Sequence, residues 1–153
     1  PNCMRGYYGR PDLSEQVFQD GWYVTGDIAR VDDDGFLFIT GRLSRFSKIG
    51  GEMVPHVRVE NAINDILGYA GCAVTGIPDD RKGERLVALV VNPPIPLDEV
   101  WARLTRGNLP ALWLPKRENL LAVDHLPTLG SGKLDLRKIN EMAREILAGL
   151  PKA

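Results

Sequence analysis

The chain has 153 residues, enough to bury a core of its own, and 19 Lys and Arg against 20 Asp and Glu leave a net charge of −1. That balance gives no case for nucleic-acid binding. Two cysteines, Cys3 and Cys72, make neither a disulfide framework nor a metal-type spacing, and no apolar stretch approaches the ~18 residues of a membrane span. Composition of this kind fits a cytoplasmic protein.

Pro11 and Asp12 open a short helical stretch running to Gln19, with Asp12 as its cap. Trp22–Val31 and Phe36–Thr40 are predicted strands, joined through Asp32-Asp33-Asp34-Gly35, an acidic, glycine-ended turn that suits a hairpin. The three aspartates lack the spacing of a calcium loop. Lys48–Met53 reads as a short strand pair interrupted by Gly50 and Gly51. Pro55 then starts a helix, a position where proline is tolerated. Val59, Ala62, Ile63, Ile66 and Leu67 recur at helical spacing and give it one apolar stripe, and Gly68 stops it.

Residues 69–77 and Leu86–Val91 are apolar and β-branched enough for two strands, separated by a polar loop from Pro78 to Gly83. Cys72 falls in the first of them as a small core residue. Asn92-Pro93-Pro94-Ile95-Pro96 breaks the chain before a short helix capped by Asp98 and ending near Gly107. Glu118–Val123 is a third strand. Ile139, Met142, Ala143, Ile146, Leu147 and Leu150 share one face of the last helix. The predicted class is α+β, a small mixed sheet flanked by helices and preceded by a β-hairpin. His56 and His125 stand near no nucleophile pattern and are assigned to structure; Trp101 and Trp113 are assigned to the core or an interdomain surface.

The segment Leu126-Pro127-Thr128-Leu129-Gly130-Ser131-Gly132-Lys133-Leu134-Asp135-Leu136-Arg137 puts one lysine on a loop of small residues just before that last helix. Lysine supplies a compact cation suited to phosphate or carboxylate. A P-loop would need Gly at 127 and Ser or Thr at 134, and the chain has Pro127 and Leu134. Two further segments are Gly21-Trp22-Tyr23-Val24-Thr25-Gly26-Asp27 and Gly41-Arg42 through Gly50-Gly51-Glu52-Met53-Val54-Pro55, followed by Val59-Glu60. In this order the three segments resemble motifs of the adenylate-forming superfamily, which includes acyl-CoA synthetases, acyl-acyl-carrier-protein synthetases, peptide-synthetase adenylation domains and luciferases. The opening Pro1-Asn2-Cys3-Met4-Arg5-Gly6-Tyr7-Tyr8 resembles the family's Pro-Asn-x-Met-x-Gly-Tyr stretch, so the likeness covers nearly the whole chain.

The resemblance implies that residues 1–43 are the end of a large N-terminal adenylation domain and residues 44–153 a mobile C-terminal lid. The large domain would hold the acid pocket and most of the contacts to ATP and Mg, so the fragment alone is expected to be inactive. Adenylation joins a carboxylate to the α-phosphate of ATP, and a cation between two anions helps most in the transition state. By the resemblance that cation is Lys133. Asp27 is the residue on the ribose hydroxyls, where a carboxylate can accept from both members of a cis-diol, and Arg42 is its partner, or else an ordinary interdomain ion pair. Ser44 stands at the hinge, where the family commonly has Asp or Lys. Gly50 and Gly51 would let a phosphopantetheine arm pass, or make a plain β-bulge, and Glu52 either orients a group there or pairs with a nearby base.

The Arg42–Val54 segment looks most like acyl-carrier-protein synthetases of the 2-acylglycerophosphoethanolamine acyltransferase type. The leading expectation is therefore an ATP-dependent fatty-acyl synthetase that hands its acyl group to the phosphopantetheine thiol of acyl carrier protein. Arg45, Lys48, Arg58, Lys116 and Arg117 would then offer a basic landing surface, against the alternative of a solvated face. The alternatives are an acyl-CoA ligase of the same superfamily, one acting on another carboxylic acid, or a non-catalytic module that binds a carrier protein. The parent is expected in the cytoplasm, with association with the inner membrane left open.

Overall fold

The computed structural model describes residues 2–149. It divides into two compact units, Pro1–Ser44 and Arg45–Ala153. Pro1 and Leu150, both used in the sequence reading, lie outside the described residues.

The first unit holds helix α1 (Pro11–Val17), the two-residue strands β1 (Phe18–Gln19) and β2 (Trp22–Tyr23), and the antiparallel pair β3 (Asp27–Val31) and β4 (Leu37–Arg42). Asp12 does not cap α1: Arg10 is the N-cap residue, and its guanidinium donates to both Asp12 carboxylate oxygens, at 2.9 and 2.6 Å. The predicted strand Trp22–Val31 is interrupted at residues 24–26, because Gly26 adopts φ +72°, outside the β region. The hairpin turn forms as expected, with the Asp32 carboxylate accepting the Phe36 N–H at 2.8 Å. None of this unit's described residues is buried.

The second unit carries the core. It contains β5 (Phe46–Ile49), β6 (Glu52–Pro55), α2 (His56–Leu67), β7 (Cys72–Asp79), β8 (Gly83–Val91), α3 (Leu97–Thr105), β9 (Leu120–Val123) and α4 (Leu136–Gly149), with 3-10 turns at Ala111–Trp113 and Arg117–Asn119. Strand β8 is the centre of a five-stranded mixed sheet: β7 runs antiparallel along one edge, while β9 pairs parallel and β5 meets it at Gly83. Alternation along a strand sends successive side chains to opposite faces. On one face Cys72, Val74, Leu86, Ala88, Val90 and Leu120 pack under α2 and α3; on the other Ala73, Val87, Leu89, Leu121 and Val123 pack under α4. The α+β class read from the sequence is the class observed.

Several boundaries move for local reasons. Pro55 closes the β5–β6 ladder opposite Phe46 and caps α2, which starts at His56. Gly68 ends that helix in the left-handed conformation expected of it, φ +79°. Pro78 and Asp79 continue β7 rather than opening a loop, and the Asp79 carboxylate accepts the N–H groups of Arg81 and Lys82, both at 3.0 Å. Asp98 does not cap α3; Pro96 does, and Asp98 pairs with Arg117. Helix α4 has an unforeseen cap in Asp135, whose carboxylate accepts the Lys138 N–H at 3.1 Å. Asn140 then ties α4 to β7 by donating to Thr75 Oγ1 and the Gly76 carbonyl, at 2.8 and 2.7 Å.

Candidate functional site

In the first unit, the antiparallel register sets Asp27 directly opposite Arg42, and Arg42 Nε meets Asp27 Oδ1 at 2.7 Å. Asp27 keeps 21 % of its side chain exposed and Arg42 66 %, so both still face solvent. The approach to Asp27 is held by Thr25, whose hydroxyl accepts the Asp27 N–H at 3.1 Å, and by the Leu43 N–H on the Gly26 carbonyl at 2.8 Å. A carboxylate steadied by one guanidinium keeps a second oxygen with which to accept hydroxyl donors. The division between the units falls immediately after Ser44, which is exposed in the 3-10 turn Leu43–Arg45.

In the second unit, Gly50 and Gly51 form the two-residue turn of the β5–β6 hairpin. Their φ angles of +57° and +91° are the pair of positive values that a primed hairpin turn requires, so this is a regular turn rather than a bulge. Glu52 is the first residue beyond it. Its carboxylate accepts the indole N–H of Trp113 at 3.0 Å, and the Gly50 N–H donates to the Lys82 carbonyl at 2.9 Å.

A buried polar cluster underlies the hairpin. Arg45 and Glu60 form an ion pair with side chains only 15 % and 8 % exposed, and the other Glu60 oxygen accepts the Val74 N–H at 2.7 Å. Ser47 Oγ and His56 Nε2 are 2.8 Å apart. Both residues are buried, which makes the pair an internal clasp rather than a nucleophile open to substrate. Burial first, and the Arg45 cation second, push the His56 pKa from 6.5 down to about 4, so the ring is neutral in the fold.

Lys133 lies elsewhere in the same unit. Thr128 and Leu134 form an isolated bridge, Leu129 N–H donates to the Lys133 carbonyl, and Gly132 N–H to the Leu129 carbonyl, both at 2.8 Å. Gly132 accepts this tight turn with φ +79°. Lys133 itself is exposed, on a loop whose backbone is fixed. Its neighbour Leu134 packs with the α4 face of the sheet, whereas Leu112 and Trp113 behind the glycine hairpin pack with the α2–α3 face. The hydrophobic neighbours of the two loops therefore pack on opposite faces of the sheet.

Beside the glycine hairpin is a pocket of about 200 Å³, whose lining includes Ile49, Leu112, Lys82, Arg85, Lys116 and Asn119. Asn119 is 1 % exposed, and both polar atoms of its side chain lack a protein partner, as does the buried Nε of Arg85. Among the five cations read from sequence as a landing surface, Arg45 pairs with Glu60, Lys116 with Glu118 at 3.4 Å, and Arg117 with Asp98. Among the described residues no group of three or more His, Cys, Asp or Glu is placed to hold a metal ion. No helix among them is long and apolar enough to cross a membrane.

The model of the AMP-binding enzyme C-terminal domain matches residues 58–133. The chain carries a C-terminal domain of this AMP-binding, adenylate-forming family. It is 42% identical over 137 residues to a feruloyl-CoA synthase from Amycolatopsis sp, covering 88% of this chain and 27% of that protein. It is 33% identical over 141 residues to a 2-succinylbenzoate–CoA ligase from Listeria monocytogenes, covering 92% and 30%. The ATP-bound crystal structure of MatB from Rhodopseudomonas palustris superposes with a TM-score of 0.76 at 29% identity, covering 95% of this chain and 29% of that one. The chain thus spans less than a third of the length of these relatives.

The sequence reading made Arg42 the partner of Asp27 at the ribose or else an interdomain ion pair, and the fold pairs the two residues with each other inside one unit. It left open what Glu52 does and gave Trp113 no partner; 61 residues separate the two, and no local pattern signals their contact. Asp135 was missed although a carboxylate three residues before a helical N–H is a readable cap signal.

Proposed function

We propose that this chain is the C-terminal part of an ATP-dependent acid–CoA ligase, which makes an acyl-adenylate and then a thioester. In the first step a carboxylate oxygen attacks the α-phosphorus of ATP and pyrophosphate leaves; Lys133 bridges the two anions, while Asp27 and Arg42 hold the ribose. In the second step the CoA thiol attacks the acyl carbonyl, its proton is lost and AMP departs. The surface at Gly50, Gly51 and Glu52 serves that step, after rotation at Ser44 exchanges it for the Lys133 loop. In this reading residues 1–43 close the large domain and residues 44–153 are the lid.

The observation that carries the proposal is that the packed neighbours of the Lys133 loop and of the glycine hairpin lie on opposite faces of one sheet. Two half-reactions served by one rotating lid need such an arrangement. CoA, the second acceptor weighed from sequence, is favoured over a carrier protein by the relatives, which are named as a CoA synthase and a CoA ligase. It is favoured also by the cationic pocket beside the hairpin, where Asn119 and Arg85 keep unused hydrogen-bonding capacity for a small phosphorylated ligand.

The test uses the full-length protein. Acid-dependent ATP–pyrophosphate exchange is measured across fatty, aryl and dicarboxylic acids, and thioester formation is compared with CoA and with a phosphopantetheinylated carrier protein. Exchange with at least one acid and faster transfer to CoA is the expected result. Faster transfer to the carrier protein would restore the other acceptor, and no exchange with any acid would defeat the adenylating reading.

A further inference from the structure

We infer that Trp113 is a positioning residue for the thioester-forming half-reaction, holding the Glu52 carboxylate at the tip of the Gly50–Gly51 hairpin; this rests on the reading of that tip as the thiol side. Glu52 is exposed and has three rotatable bonds, so left to itself its carboxylate would sample many positions. The Trp113 indole N–H, 3.0 Å from Glu52 Oε1, selects one of them and leaves Oε2 for another donor.

Trp113 is itself anchored. Its backbone N–H donates to the Pro110 carbonyl at 2.9 Å, and its half-buried side chain packs against the cluster containing Val100 and Leu104. Leu112, one residue earlier, stands against the turn, its Cδ1 3.8 Å from where a Cβ on Gly50 would lie. Across the turn, the Lys82 carbonyl takes the Gly50 N–H. Attachments from residues 82, 112 and 113 thus converge on one exposed hairpin tip, which is more restraint than a solvated turn requires. A carboxylate fixed beside the path of an attacking thiol can orient the group that receives the thiol proton, and a mobile one does so less often.

The experiment measures the two half-reactions of the full-length protein separately: acid-dependent ATP–pyrophosphate exchange, and single-turnover transfer from preformed acyl-adenylate to CoA. The variants are Trp113→Phe, which keeps an aromatic ring and removes the N–H, Glu52→Ala, and the double substitution. Trp113→Phe is expected to slow transfer by about tenfold, the loss of one charge-assisted hydrogen bond, with exchange unchanged. The double variant should be no slower than Glu52→Ala, because Trp113 acts through Glu52. Normal transfer by Trp113→Phe beside an impaired Glu52→Ala would overturn the inference. So would losses that multiply in the double variant, or a Trp113→Phe that loses exchange as well. Normal transfer by Glu52→Ala would instead bring down the thiol-side reading on which the inference stands.

Discussion

His56 makes the stability of the second unit depend on pH in a defined window. Its ring is buried, 2.8 Å from the Ser47 hydroxyl and near the Arg45 cation, and its pKa falls from 6.5 to about 4. The unfolded chain therefore binds a proton near pH 6.5 that the folded chain refuses until about pH 4. Between those values the unfolded state holds more protons, so stability is fully present above pH 6.5 and is lost as pH falls toward 4. At 1.36 kcal/mol per pKa unit, the drop from 6.5 to about 4 corresponds to a ceiling of roughly 3 kcal/mol. Urea unfolding of the chain at pH 7, 5.5 and 4.5, wild type beside His56→Gln, reads this directly. The comparison is needed because carboxylates such as Asp79, whose pKa is lowered by the N–H groups of Arg81 and Lys82, lose stabilisation at lower pH in both proteins. Wild type should lose more stability than the variant between pH 7 and 4.5. Parallel curves, or an NMR titration that finds the His56 ring protonating near 6.5, would refute the reasoning.

In the full-length protein Lys133→Ala should lower acid-dependent pyrophosphate exchange by about three powers of ten, since two charges ~4 Å apart attract by roughly 4 kcal/mol at an effective dielectric near 20. Transfer from preformed adenylate to CoA should survive, and a variant with normal exchange removes the assignment. Asp27→Ala should raise the KM for ATP by about tenfold through lost ribose contacts and leave the CoA KM unchanged, as steady-state kinetics would show. Gly76→Ala should destabilise the chain by about 1–3 kcal/mol, because a Cβ there would lie 1.9 Å from Ser47 Oγ and 2.8 Å from Glu84 Oε1. A lower urea midpoint checks it; an unchanged midpoint would mean that Ser47 and the hairpin move aside at no cost.

What the sequence disclosed was mainly periodic or local. The stripe of Val59, Ile63 and Leu67 made α2 legible, and Ile139 and Ala143 did the same for α4, because burial on one face imposes the 3.6-residue period. Paired glycines between two short apolar runs announced the β5–β6 turn. Asp12 and Asp135 were local misses, with partners two and three residues away, whereas other misreadings came from partners distant in the chain. Asp98 was read as a cap because it opens a helix, but Arg117 lies 19 residues on and Pro96 already turns the chain. The parallel pairing of β9 with β8 joins residues about thirty positions apart and leaves no mark in either strand. Arg45 read as a surface cation because nothing local reveals that Glu60, one helical turn into α2, faces back toward it.

That same pair alters the electrostatic case for the acyl acceptor. An acidic carrier protein is drawn by a broad field of uncompensated positive charge. Arg45 is withdrawn into the unit by Glu60, Arg117 is held by Asp98, and Lys116 shares its charge with Glu118. Much of the nominated landing surface is thereby neutralised over short distances. The pocket beside the glycine hairpin is lined by Arg81, Lys82 and Arg85, together with Lys116, whose charge Glu118 shares, against Asp79 and Glu84. The Asp79 carboxylate is partly occupied by two backbone N–H groups, and Glu84 by the Lys48 N–H at 2.6 Å. A concave site of this kind recognises a small ligand by contact rather than a protein by its long-range field. The placement of charge therefore supports the proposed CoA acceptor over the carrier protein.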